Sequence, residues 1–164
     1  MGWRDEQAFF DQLADTWDAR TDQETLARLA EIITRLRIRP GSRVLDVGCG
    51  TGVLFTLIRS NIGASGQLIR LDVSRQMLSH AVSRSGADLC IQADARLPPI
   101  HDHVFDWIIC NAVLPHFKLA CYALCDAVWR RMEPWSSVMP AVVRRSIRYI
   151  SRRAAQWLMI ACQI

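Results

Sequence analysis

Asp46, Gly48, Gly50 and Gly52 fall within VLDVGCGTGVLF, residues 44–55, where a short apolar run meets an acid and then three glycines at alternate positions. Glycines at such a turn remove Cβ atoms, so the backbone can take unusual φ values and a ligand can approach it closely. Polar side chains recur downstream at Asp72, Asp94 and Asn111. A carboxylate at a strand end can accept hydrogen bonds from both hydroxyls of a ribose, which suits Asp72. The glycine spacing is GxGxG, with Val53 where a dinucleotide fingerprint carries its third glycine, and no lysine follows as a phosphate-binding loop requires. Each group also has a plain structural use. The glycines alone make a tight turn, Asp72 before Ser74 can cap a helix, Asp94 can cap a turn ahead of the prolines, and Asn111 can simply end a strand.

The periodicity around these residues predicts the elements that hold them. Phe9, Phe10, Leu13, Ala14 and Trp17 recur at helical spacing over residues 5–20, and Leu26, Leu29, Ile32, Ile33 and Leu36 do so over residues 22–37, with Thr21 or Asp22 as the cap of the second helix. Pro40 and Gly41 break the pattern before VLDV, a run typical of a strand buried on both faces. A helix over residues 53–60 follows the glycines, then a strand over residues 67–73, a helix over 77–83, strands over 89–92 and 104–110, and a helix over 119–131. Alternation of this kind predicts an α/β fold, a Rossmann-like, mostly parallel sheet with helices on both faces. Ligands of such sheets bind beyond the carboxyl ends of the strands, where Asp46 to Gly52, Asp72, Asp94 and Asn111 all fall.

Composition bounds the rest. A chain of 164 residues, 51% apolar, is long enough for one core and one domain. Its six cysteines are irregularly spaced without a CxxC pair, the pattern of reduced thiols in a cytoplasmic protein. The N-terminus carries charges where a signal peptide needs an apolar core. The most apolar long stretch, residues 104–117, is interrupted by Asp106, Asn111 and His116 and falls short of the roughly 20 residues of a membrane span. His101 and His103 flank Asp102 without a third ligand, so no metal is expected. The net charge of +4 divides into −2 over residues 1–117 and +6 over residues 118–164.

VLDVGCGTG, LDVSRQML at 71–78, QADARLPP at 92–99 and FDWIICNAVLPHF at 105–117, in that order, resemble the class I S-adenosylmethionine-dependent methyltransferases. FFDQLADTWD, residues 9–18, is similar to the N-terminal helix of one branch of small-molecule methyltransferases, and the resemblance extends over about residues 9–134. It implies S-adenosylmethionine as cofactor. Gly48, Gly50 and Gly52 would pass under its methionine part with Asp46 near the ammonium group. Asp72, with Val73 beside it, would hold the ribose, and Asp94 would accept from the adenine amino group next to the Ala95 amide. Asn111 would face the methyl sulfonium. Methyl transfer needs a nucleophile brought in line at about 3 Å, so positioning supplies most of the acceleration. A base is needed only where the acceptor must lose a proton, and His116, after the fourth strand, is the candidate. The implied partner is a small-molecule methyl acceptor, with no specific nucleic acid and no membrane span.

The resemblance fades after about residue 118. WRRMEPWSS, residues 129–137, has Trp135 and Ser136 where the family carries two glycines, and Pro140 would interrupt a fifth strand over residues 137–143. The layout is therefore one domain: N-terminal helices over residues 1–40, a cofactor-binding core over 41–134 and a divergent basic tail over 135–164, with about five strands and without the family's usual final strands. In the tail, Ile147, Ile150, Ala154, Trp157, Leu158 and Ala161 recur at helical spacing opposite five arginines, which predicts a helix covering the sheet. An unfinished sheet edge beyond the fourth or fifth strand would invite self-association. The alternative to an active enzyme is a truncated, inactive remnant that binds cofactor weakly or serves as an interaction module.

Overall fold

The computed structural model describes residues 2–85, 88–96, 98–100, 104–113 and 159–163. Helix α1 spans Trp3–Trp17 and α2 spans Gln23–Leu36. Strand β1, Arg43–Val47, leads through the glycine turn into α3, Phe55–Ile62, and then β2, Gln67–Asp72. Helix α4, Arg75–Ser85, β3, Leu89–Gln92, β4, Trp107–Asn111, and β5, Met159–Gln163, complete the described elements.

Local chemistry sets these boundaries. Asp22 opens α2 by accepting the Thr25 N–H at 2.8 Å, and Arg37 ends it in a left-handed conformation, φ 54°, before Pro40 is reached. At α4 the cap is Ser74, whose hydroxyl accepts the Met77 N–H at 3.0 Å. Between these helices, Gly63 closes α3 with φ 65°, its N–H donating to the Arg59 carbonyl at 2.9 Å.

The strands form one sheet in the order β3-β2-β1-β4-β5, the first four parallel and β5 antiparallel to β4. Alternation along the strands divides the core in two. Val44, Leu68, Trp107 and Ile109 face one side and pack with Leu29 and Ile33 of α2 and Leu54, Ile58 and Ile62 in and before α3. Leu45, Val47, Leu71 and Cys110 face the other and pack with Ala95 and Phe105 from the β3–β4 connection. The helix expected over residues 119–131 and the strand expected over 137–143 lie outside the described residues.

Two expectations change. The fourth strand begins at Trp107, not residue 104, because Phe105 turns into the second cluster and the Asp106 carboxylate accepts the Arg43 N–H at 2.7 Å. The end of the tail is also not helical. Met159–Gln163 runs as a strand along the outer edge of β4, with Ala161 beside Ile109. A short apolar run carries too few turns for its period to separate helix from strand, and the open backbone groups of β4 supply the pairing. The edge beside β4, expected to lie open, is thus covered, and nothing among the described residues supports self-association.

Candidate functional site

Strand order reverses at β1, which lies between β2 and β4, so a topological switch point, where sheets of this kind bind ligands, falls at the carboxyl ends of β1 and β4. The glycine turn follows β1 at that point. Gly48, Gly50 and Gly52 all take positive φ, 66°, 53° and 85°. A Cβ on Gly48 would stand 2.3 Å from Val113 Cγ2, and one on Gly52 would stand 3.3 Å from the Ala81 Cβ of α4. The chain's own side chains therefore approach the turn at both ends. Gly50 lies between them, with Trp17 Nε1 of α1 3.5 Å from the position of its absent Cβ.

Asp72 fastens this turn. One carboxylate oxygen accepts the Gly50 N–H and the other the Ser74 N–H, each at 2.8 Å. The side chain is buried at the end of β2, and each oxygen retains a lone pair for a hydroxyl donor. It is thus a tie between two strand-end loops, while the capping expected of it falls to Ser74. Burial pushes its carboxyl up, against the hydrogen bonds from Ser74, Gly50 and Val73.

Asp46 is the other buried acid among the described residues, 1% exposed. The β1–β2 register sets it beside Arg70, wholly buried, whose guanidinium donates to the Ala81 carbonyl at 2.8 Å. Neither Asp46 oxygen accepts a hydrogen bond, and the same holds for Asn111 Oδ1 on the corresponding face of β4. Burial first, and then the Asp72 carboxylate, push the Asp46 carboxyl up to about 7, while Arg70 opposes the shift. An acid and an amide oxygen without donors at one strand-end rim form a place for a ligand that brings N–H groups. Immediately after Asn111, Ala112 adopts φ 56°, a conformation that costs a residue with a side chain about 1–3 kcal/mol.

Of the remaining expected residues, Val73 follows the end of β2, and Asp94 and Ala95 follow the end of β3. The Val73 carbonyl accepts from the Gln92 side chain at 3.3 Å. Ala95 points into the second core cluster, and Asp94 is engaged by Arg96, whose N–H and Nε reach Oδ1 at 2.9 and 2.8 Å. Thus Asp94 caps its own turn, as the plain structural reading expected. His116 lies outside the described residues, as do His101 to His103.

Sequence reasoning missed the role of α1. Its Asp11 accepts from the Ser74 hydroxyl at 2.6 Å and from the Gln76 N–H at 3.0 Å, doubling the cap of α4. Asp15 meets His80 at 2.9 Å, and Asp18 joins Arg84 and the Thr51 hydroxyl of the glycine turn. Asp11, Asp15 and Asp18 recur at helical spacing, a signal present in the sequence but overshadowed by the apolar stripe. Arg70 was legible too, as a charge between the apolar residues of LIRL.

This sheet order, with a left-handed glycine turn after β1 and an acid ending β2, defines a nucleotide-binding α/β domain. Residues 44–134 match the family described as methyltransferase domain, and the chain belongs to it. It is 34% identical over 106 residues to the malonyl-[acyl-carrier protein] O-methyltransferase of Enterobacter lignolyticus, covering 63% of this chain and 39% of that protein. It is 36% identical over 84 residues to the 2-phytyl-1,4-naphtoquinone methyltransferase of Synechococcus elongatus, covering 48% of this chain and 36% of that protein. The chain thus spans well under half the length of these curated relatives. Among solved structures, magnesium protoporphyrin IX methyltransferase from Synechocystis PCC 6803 with bound SAM shares the fold, with a TM-score of 0.50 at 15% identity over 66% of this chain and 74% of that one.

Proposed function

We propose that this domain binds S-adenosylmethionine at the β1–β2–β4 rim and transfers its methyl group to a small molecule. The observation that carries the reading is the buried Asp46 carboxylate without a donor, beside a turn of three left-handed glycines. The amino-acid part of the cofactor brings an ammonium group, whose N–H donors fit Asp46 and Asn111 Oδ1. Asp72 has lone pairs left for the ribose hydroxyls, and Asp94 with Ala95 lies at the next strand end for the adenine. The relatives named for a malonyl group on a carrier protein and for a naphthoquinone support methyl transfer to small or carrier-borne acceptors.

The cofactor supplies a methyl group on a positively charged sulfur. What this chain contributes is binding and orientation, since a methyl held in line with its acceptor needs little further help. Asp46 ionises against the ammonium, the glycine turn allows close approach, and α1, pinned to α4, covers the turn through Trp17. His116 is the candidate base for acceptors that must lose a proton.

Titration calorimetry on the whole chain with S-adenosylmethionine, S-adenosylhomocysteine and NAD tests the cofactor reading. Binding of the first two without NAD is expected, and tighter binding of NAD would overturn it. Transfer of a labelled methyl group to a panel of thioester, quinone and amine acceptors then tests the reaction.

A further inference from the structure

Asp94 does not stand alone at the rim. Arg96 reaches it three times: through its N–H to Oδ1 at 2.9 Å, and through Nε to Oδ1 at 2.8 Å and to Oδ2 at 2.9 Å. The far end of the same guanidinium reaches the Glu6 carboxylate of α1 at 3.2 Å. The Glu6 side chain is 15% exposed, Arg96 29% and Asp94 22%, so the three form a partly buried relay rather than a solvated surface pair. Burial alone would raise the Asp94 carboxyl, but the hydrogen bonds from Arg96 outweigh it and hold the group below the usual carboxylate range.

Such contacts fix two things. Nε bridging both oxygens sets the rotation of the carboxylate, and the charge beside it keeps the group ionised and purely an acceptor. Oδ1 already accepts two N–H groups, whereas Oδ2 accepts only the shared Nε and keeps a second lone pair, so one direct N–H from a base edge can still be received there. Glu6 in turn fixes the guanidinium, which makes the seating of α1 part of the geometry at Asp94.

Resting on the cofactor reading above, we propose that Arg96 is a positioning residue for adenine recognition: it aims the Asp94 carboxylate at the exocyclic amine, and Glu6 of α1 holds Arg96 in place. The site then distinguishes a 6-amino purine from a 6-oxo purine through this relay. A 6-oxo group would set one acceptor against another, an arrangement the fixed carboxylate cannot relieve by turning away.

The test compares the affinity of the whole chain for S-adenosylhomocysteine and for its deaminated analogue S-inosylhomocysteine. The wild-type protein should prefer the amino form by about tenfold or more, the usual worth of one hydrogen bond to a charged acceptor. Arg96→Met should bring that ratio close to one, and Glu6→Gln should lower it partway while leaving Arg96 in place. Circular dichroism and thermal melting establish that each variant is folded, and Glu6→Gln provides the readout where Arg96→Met is not. An unchanged ratio with both affinities reduced equally would mean a merely structural Arg96 and would overturn the proposal. So would a rise in affinity for the amino form in Arg96→Met, because Arg96 would then compete with the base. Failure of the wild-type chain to bind either ligand would strike the cofactor reading itself, an outcome distinct from both.

Discussion

Asp46 sets the pH behaviour expected of the site. Its carboxyl is raised to about 7 in the folded chain by burial and by Asp72, whereas an unfolded Asp titrates near 3.9. The folded state therefore holds the extra proton between these values, and its stability falls as pH rises from about 4 to about 7, by up to roughly 4 kcal/mol at 1.36 kcal/mol per unit. Asp46→Asn should remove this dependence, which urea denaturation of the two proteins across that range would read directly. Cofactor affinity should move the opposite way and rise with pH through about 7, because the ammonium prefers the ionised acid. At Asp72 the expectation has two parts. Asp72→Ala should cost about 1.5–3 kcal/mol of cofactor affinity by calorimetry and also destabilise the ligand-free fold, since the Gly50 and Ser74 N–H groups lose their acceptor. A variant with normal stability and weakened binding would reduce Asp72 to a ligand contact alone. That Asp72 belongs to the rim was legible from LDVS; that it ties two loops was not, because its partner Gly50 lies 22 residues away.

Among the elements, α1 is the one whose attachment differs in kind from the rest. Ala14 is its only buried residue among those described, while Trp3 and Phe9 are exposed. Polar ties from α1 to α4 and to Arg96, and from Asp18 just past its end to Thr51 and Arg84, hold it instead. These ties are unequal. Asp11 bonds the first turn of α4, so Asp11→Ala should cost about 1 kcal/mol, as loss of a helix cap does. Asp15 is 91% exposed in its pair with His80, and Asp15→Ala should cost no more than about 0.5 kcal/mol. Thermal melts of the two variants, with hydrogen exchange across α1, would check that order. Equal effects would mean that α1 is held by its aromatic face and not by its acids.

For the whole molecule, the pairing of β5 with β4 decides how the sheet ends. Deleting residues 159–164 strips β4 of its antiparallel neighbour and bares a row of backbone donors and acceptors. The shortened chain should melt at a lower temperature and associate with rising concentration, as gel filtration and light scattering would show. An unchanged monomer of equal stability would mean that the strand contributes nothing to the edge.

The sequence by itself determined the parallel α/β plan, the positions of α2, β1, β2 and β3, and that Asp46, Gly48, Gly50, Gly52, Asp72 and Asn111 fall at strand ends. These depend on local signals: a short apolar run, a glycine turn, a cap, a polar residue at a strand end. Only the tertiary structure decided what those residues touch. Asp46 beside Arg70, Arg96 against Glu6, and α1 across the head of α4 join segments far apart in sequence, and a sequence period carries no information about which of two faces meets which. The strand at Met159–Gln163 is the same case at larger scale. A five-residue apolar run is compatible with helix or strand, and the open edge of β4, not the run itself, provides the hydrogen bonds that choose between them.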